Sequence, residues 1–424
     1  MRIYKFYTTY LSVFLISLGL NVLTPALASN NVFLKYSKSD GLAQNTVTDI
    51  VEDKQGFLWF STFEGVSRFD GYDFKTYKHS PNDKYSLPDD FTKKMLVDYQ
   101  GILWIGTRNG LAKYNPQLDN FTTYNKSNSE LRNNEIFTLA LDVDGSLMVS
   151  TSENLYVYDV KADNFLSYRV SGESLPADIK VIFSEEDKTW IGSLGHGVFI
   201  LEHSTNTLFN LKQSNPWGIS IDADYLFDLK LINNNYWLGT ERGAFVVANN
   251  TFEVSKINTL GSPTTAGDEI RSISQNKDGN IWLGTTTGIR IINKNFKHLF
   301  SYNAQNINNF GLDSTHFLKL YNDTNGSTWL GTYSGGIYRY NLESSKIKFF
   351  QKNANNPNSL SGNVIWGVAQ DSTEKIWVGT QTNALNQFDP VNYTFKHYLK
   401  EFQHNIWAVK VDTVDRIWIA SSGR

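Results

Sequence analysis

The chain has 424 residues, a formal net charge of −3, 14% aromatic residues, 30 Gly, 9 Pro and no Cys. Scattered Lys and Arg on a slightly acidic chain exclude a basic nucleic-acid surface, and the lack of thiols excludes disulfides, thiolate metal sites and Cys nucleophiles. The length allows two or more domains, and abundant aromatics with frequent Gly suit many short strands joined by tight turns.

Residues 1–28 read as a secretory signal peptide. Arg2 and Lys5 give a positive start, Leu11 to Leu20 an apolar core, and Ala26-Leu27-Ala28 a small-x-small cleavage site. An uncleaved anchor is the alternative, but the apolar run is short for a membrane span. The mature chain is therefore expected to be exported, and without Cys its stability must come from packing.

From residue 33 onward one pattern recurs. A hydrophobic strand is followed by a polar turn, a segment of the type Trp-x-Gly-Thr, a short loop and another strand. The anchor position is held by Trp59, Trp104, Met148, Trp190, Trp237, Trp282, Trp329, Trp377 and Trp418, at spacings of 41 to 48 residues. Eight of the eleven Trp stand at this one position, so the repeat is not a chance alignment. The first unit predicts strand A over Thr46 to Glu52, B over Phe57 to Ser61, C over Val66 to Phe69 and D over Asp73 to Tyr77. The second predicts the same order over Lys93 to Val97, Ile102 to Gly106, Leu111 to Tyr114 and Phe121 to Tyr124. Four strands and their turns in roughly 40–45 residues make one propeller blade. Helical periodicity is not sustained after residue 30, which argues against a helical solenoid.

The turn chemistry is legible. Six residues before the anchor stands Asp53, Asp98, Asp142, Asp323, Asp371 or Asp412, with Ser184, Leu231 and Asn276 in the other three repeats. Gly follows three residues later at Gly56, Gly101, Gly145, Gly279 and Gly326. Asp bonding the turn amides and Gly at positive φ give a tight A–B turn, so these residues read as structural. Asp142-Val143-Asp144-Gly145 lacks the later ligands of a calcium loop and reads as the same turn. The Trp is expected to fill the wedge between blades, and the Gly or Ser and Thr after it to keep the backbone thin there. Sialidase-type propellers place an Asp five residues before the aromatic; here that place holds Lys54, Tyr99, Val143, Glu185, Ile232, Lys277, Thr324, Ser372 and Thr413, so that signature is missing.

The stretches EDKQGFLWFSTFEGVSRFDGYDFKTY, VDYQGILWIGTRNGLAKYNPQLDNFTTY, QNKDGNIWLGTTTGIRIINKNFKHL and QDSTEKIWVGTQTNALNQFDPVNYTFKHY resemble the two-component regulator propeller repeats of bacterial receptors. SPNDKYSLPDDF and NANNPNSLSGNVIW are similar to that family's connectors. The resemblance implies seven-bladed propellers, usually two in tandem, then a β-sandwich, a membrane span and a histidine kinase or diguanylate cyclase output. It also implies a homodimer for the full-length receptor, placed in the inner membrane. The family pattern is departed from at Met148 and at the fifth repeat, which lacks the Asp and Gly of the turn.

The expected fold is therefore all-β: a seven-bladed propeller of four-stranded blades over 29–345, followed by the beginning of a second, incomplete propeller over 346–424. Phe33-Leu34-Lys35-Tyr36 matches strand D patterns such as Phe74-Lys75-Thr76-Tyr77 but precedes the first strand A. It is expected to complete the seventh blade, whose other strands lie within 315–341, while Lys346 to Phe350 starts the second ring. The end at Arg424, just after a strand B, reads as truncation before the output region, because a blade ending there exposes an unpaired edge.

No catalytic, metal or cofactor motif emerges. The seven His form no HExxH pattern, no Gly-rich loop precedes a helix, and no G-x-S-x-G elbow is present. Paired carboxylates that meet only in space stay open. Ligand-binding candidates come from the loops of one face: Glu64, Arg108, His196, Arg242 and Tyr333 in B–C loops, and Trp217 in an inter-blade loop where its ring could stack on a sugar. Each also reads as a solvated tip or, for Trp217, as packing on its own loop. Trp366 and Trp407 occupy equivalent places in strand A and are expected to pack near the ring axis. The expected function is periplasmic sensing of a small molecule or oligosaccharide, with the membrane reached only through the missing C-terminal part. A secreted propeller enzyme acting on polysaccharide and a periplasmic interaction scaffold are the alternatives.

Overall fold

The computed structural model describes residues 33–422 apart from 172–173, 258–267, 341–349, 354–355, 382–384, 390–393, 400 and 402–403. The proposed signal peptide and most of the strand expected at Lys346 to Phe350 lie outside the described residues. The chain divides into two compact units, Met1–Leu342 and Glu343–Arg424.

The first unit holds seven four-stranded antiparallel sheets. The first blade runs Val47–Glu52, Leu58–Thr62, Gly65–Phe69 and Phe74–Tyr77, and the second Thr92–Val97, Leu103–Thr107, Gly110–Asn115 and Asn120–Tyr124. These strands lie within a residue or so of those read from the sequence. The A strands of the seven blades touch one another in order, and that of the seventh touches that of the first, which closes the ring.

Closure uses the segment that had no blade of its own. Phe33–Tyr36 pairs antiparallel with Ile337–Tyr340, Phe33 opposite Tyr340 and Tyr36 opposite Ile337. It thus supplies the outer strand of a blade otherwise built from Phe317–Asn322, Thr328–Thr332 and Ile337–Tyr340. Phe33 is buried against Trp282, Tyr302 and Tyr340, with ring centroids 6.5, 5.2 and 5.4 Å away. The two ends of the ring are held together by main-chain hydrogen bonds and by an aromatic cluster.

The anchor Trp does more than fill space. In the second blade Asp98 Oδ1 accepts the Gln100 and Ile102 amides at 2.9 Å each, and Oδ2 accepts the Trp104 indole N–H at 2.9 Å. Asp53 does the same for Gln55, Phe57 and Trp59. One carboxylate therefore fixes both the A–B turn and the rotamer of the Trp. Where Ser184 and Asn276 replace the Asp, the buried indole N–H groups of Trp190 and Trp282 have no partner. Each anchor then packs on the next blade: Trp59 on Tyr114 at 4.8 Å, Trp104 on Tyr158 at 5.0 Å, and Trp329 back on Phe60 of the first blade at 5.6 Å. Met148 is equally buried, against Phe199 and Leu201 of the fourth blade.

The Gly two residues after the anchor is where blades approach most closely. A Cβ on Gly106 would lie 2.8 Å from a methyl of Ile136, and one on Gly331 2.9 Å from Val47, with backbone 3.1 Å away. A side chain there would force neighbouring blades apart.

The second unit contains a four-stranded sheet, Ile365–Gln370, Ile376–Thr380, Leu385–Asp389 and Thr394–Tyr398, then a hairpin of Ile406–Val411 and Ile417–Ser421. Phe350 packs on Phe388 and Phe395 of that sheet. Anchor Trp418 keeps its bond to Asp412 at 2.9 Å but is 58% exposed, against 0% for Trp59.

Two outcomes follow for stability. Asp98→Ala removes three hydrogen bonds and orphans a buried indole, so it should cost about 3 kcal/mol in denaturant unfolding. A loss below about 1 kcal/mol would show that the carboxylate is not what holds the turn. Phe33→Ala should cost about 3–5 kcal/mol by opening a cavity in the closing blade, while exposed Leu34→Ala should stay within about 0.5 kcal/mol. Equal effects at the two positions would refute a clasp held by Phe33.

Candidate functional site: the mouth of the first ring

Every A strand of the first unit begins with the same irregularity. Register slips by one residue between its first and third positions, as between Val47 and Asp49 or Ile179 and Val181. Such a bulge leaves its extra residue unpaired and re-aims its side chain. The bulged residues are, in ring order, Thr48, Lys93, Phe137, Lys180, Phe227, Arg271 and Leu318. All seven line one cavity of about 420 Å³ at the end of the channel that also carries Phe63, Phe91, Leu194, His316 and Tyr333. Five consecutive blades thus alternate cation and aromatic ring: Lys93, Phe137, Lys180, Phe227, Arg271.

The floor is a charged cluster on the third strand positions. Asp49 is 1% exposed; it takes the Lys319 ammonium at 2.7 Å, lies 3.5 Å from that of Lys94, and accepts the Met95 amide at 3.0 Å. Burial opposes its charge, yet the attraction of Lys319 and Lys94 prevails and holds its pKa at about 2. Lys319 is shifted up, Asp49 and Asp228 overcoming its burial. Lys94 is shifted down, because burial and the repulsion of Lys319 outweigh its share of Asp49. Asp228 accepts the Ile273 amide at 2.8 Å and the Ser272 hydroxyl at 3.2 Å, stapling the fifth blade to the sixth. Both carboxylates on the cavity are thus occupied in holding blades together. Asp49, Lys94 and Lys319 also border a second cavity of about 410 Å³ further along the channel.

The rim is less completely paired. Lys93 meets Glu135 at 2.5 Å and Arg271 meets Glu269 at 2.5 Å. Lys180 has no carboxylate of the described residues within ion-pairing distance; its ammonium sits 3.6 Å from the centre of the Phe137 ring. Burial, followed by the repulsion of Lys93, lowers its pKa to about 8, so it remains mostly charged at pH 7. Arg271 stacks on Phe227 at 4.1 Å, and its buried Nε has no acceptor. His316 stacks on Tyr333 at 5.2 Å, its buried Nε2 has no partner, and burial with nearby Arg271 lowers its pKa.

Of the residues read from the sequence, Tyr333 alone lines this cavity. Arg108 stands behind it, stacked 4.2 Å over the lining ring of Phe91. Glu64 faces Lys38 and Lys78 at 3.5 and 3.7 Å, and Arg242 is tied to Asp222 at 2.6 Å. His196 is an exposed loop tip. Trp217 packs beside Phe209 and Phe252 at 5.4 and 6.2 Å, away from the mouth. The loop residues were sought one step too far out. The lining residues sit eleven positions before the anchor, ten in the fourth and fifth repeats, a signal the repeat already carries. In the second unit the same position holds Trp366 and Trp407, each 47% exposed, with rings 5.0 Å apart.

The model of the two-component regulator propeller matches residues 41–64, 266–287 and 359–382, so the chain carries repeats of this family. A 59-residue stretch, 14% of the chain, is 46% identical to histidine kinase P4 of Formosa agariphila, of which it covers 4%. Among solved structures, the extracellular domain of a putative hybrid two-component system of B. thetaiotaomicron superposes with a TM-score of 0.63 at 24% identity, over 92% of this chain and 52% of that one. PorZ, a surface component of the type-IX secretion system of Porphyromonas gingivalis, gives 0.59 at 16% identity, over 85% and 59%. The chain spans about half the length of the first of these structures, and the likeness is one of propeller fold. Among the described residues no helix is long and apolar enough to cross a membrane.

The Asp49 cluster makes a pH-dependent prediction. A carboxyl whose folded pKa is depressed stabilises above its unfolded value, 3.8, and loses that contribution as pH falls through about 2. Asp49→Asn should therefore cost about 3–5 kcal/mol at pH 7, where it strands buried ammonium groups. The gap to wild type should narrow between pH 4 and pH 2 in denaturant titrations; a gap independent of pH over that window would contradict the ion-pair account.

Proposed function

We propose that this chain is the ligand-sensing propeller region of a bacterial transmembrane signalling receptor, of the two-component or diguanylate cyclase type. In this reading residues 1–28 direct export, residues 29–345 form the first propeller and residues 346–424 begin a second. The chain works in the periplasm, and the full-length receptor is a homodimer anchored in the inner membrane beyond this segment. The observation that carries the reading is the rim of the closed ring, where buried donors and a cation with no ion pair among the described residues face a cavity of small-molecule size. Sensing further requires that ligand binding discriminate between two receptor states. A ring built of blades from facing sides of one mouth is suited to that, because a ligand touching several bulges couples to several blades at once.

A propeller also hosts enzymes, and fold alone does not choose. Hydrolysis or elimination on a polysaccharide needs an available acid and base. Asp49 and Asp228 are both engaged in inter-blade contacts, which favours binding over turnover at this mouth. The test is the reading frame beyond codon 424. It should continue through further repeats to a membrane span and a kinase or cyclase. A stop there with no signalling gene adjoining would defeat the receptor reading and leave a free-standing binding protein.

A further inference from the structure

We infer that the mouth of the first ring binds a small, singly charged oxyanion carried on a hydroxylated ring, of which a uronic acid is the simplest example. The inference leans on the sensor reading only for its biological role. The chain as a whole is acidic, yet the lining of this cavity carries five cations against two carboxylates. Glu135 and Glu269, just outside it, answer Lys93 and Arg271. Lys180 makes no ion pair with a carboxylate of the described residues and is drawn to Glu135 and Asp178 only at longer range. The face of Phe137 orients that ammonium but does not neutralise it. A half-buried cation that no carboxylate of the described residues contacts is costly, and an oxyanion from outside is the chemistry that relieves it.

The remaining chemistry points to a ring rather than a bare ion. Arg271 Nε and, in its Nε2–H tautomer, His316 are buried donors without acceptors. Ring hydroxyl oxygens provide such acceptors. Phe227 and Tyr333 offer aromatic faces of the sort that stack on the C–H side of a sugar. A volume of about 420 Å³ admits a mono- or disaccharide and not a long glycan chain along the channel.

Isothermal titration of the full chain with glucuronate, glucose and sodium sulfate, at one ionic strength, tests this. Glucuronate should bind at least about tenfold more tightly than glucose or sulfate, since it alone satisfies both the cation and the orphaned donors. Lys180→Gln should lose about tenfold for glucuronate and leave glucose unchanged, while Lys180→Arg should retain most of the affinity. Unchanged thermal unfolding of both variants would show that the fold is intact. Equal affinity for glucose and glucuronate, sulfate binding as tight as glucuronate, or wild-type affinity in Lys180→Gln would each overturn the inference. The receptor reading is decided separately by the reading frame. An output domain with no glucuronate binding leaves a sensor of another ligand, and glucuronate binding with no output domain leaves a uronate-binding protein.

Discussion

The fold depends on one contact made seven times: an anchor side chain that its own blade cannot bury. Trp59, Trp104 and Trp329 are each covered by aromatic residues of the following blade. Their orientation is fixed within their own blade by the Asp of the A–B turn. Stability is therefore a property of neighbours, as in other repeat architectures. A line of blades would always leave one anchor bare. A closed ring leaves none, and Phe33–Tyr36 makes closure possible by lending the first strand of the described residues to the seventh blade.

The same geometry creates the site. Seven A strands converge on one axis, and Gly two residues after the anchor in five of the blades, Ser61 and Ser150 in the other two, lets the next blade's strand approach closely. Within the channel, polar pairs such as Asp49 with Lys319 staple blades together. At the strand starts the bulge turns one residue per blade out of the ladder and into the mouth. Because that residue makes no inter-strand pairing, it is free to vary. It is Thr, Lys, Phe, Lys, Phe, Arg and Leu around the ring, while the residue before it stays apolar in nearly every blade. Structure and recognition are thus separated by a single position along each strand.

The functional reading follows from how the charges at the two levels differ. On the floor, each carboxylate is matched to ammonium groups or amides within the protein, which makes that level part of the scaffold. On the rim, Lys180 and the donors of Arg271 and His316 are incompletely answered. The chain carries two-component regulator propeller repeats, and the rim supplies the chemistry on which the proposed ligand binding rests.

The sequence by itself determined the blade. Its period, its four strands, the Asp–Gly turn and the Trp anchor are all local, and local hydrogen bonding and alternation fix them. It also indicated that Phe33 to Tyr36 lacked a home, because a strand D pattern stood before any strand A. Even the rim residues were legible as a column eleven positions before each anchor, ten in two repeats. What no single repeat could tell was that this column faces the axis. The bulge that turns it inward arises from pairing between strands, and the cavity exists only once blades far apart in the chain meet around the ring. Glu64, Arg108, His196 and Arg242 looked alike as loop tips in the sequence. Tertiary structure separated them from Lys180, Arg271 and His316, because only the folded ring decides which charges find partners and which remain unanswered.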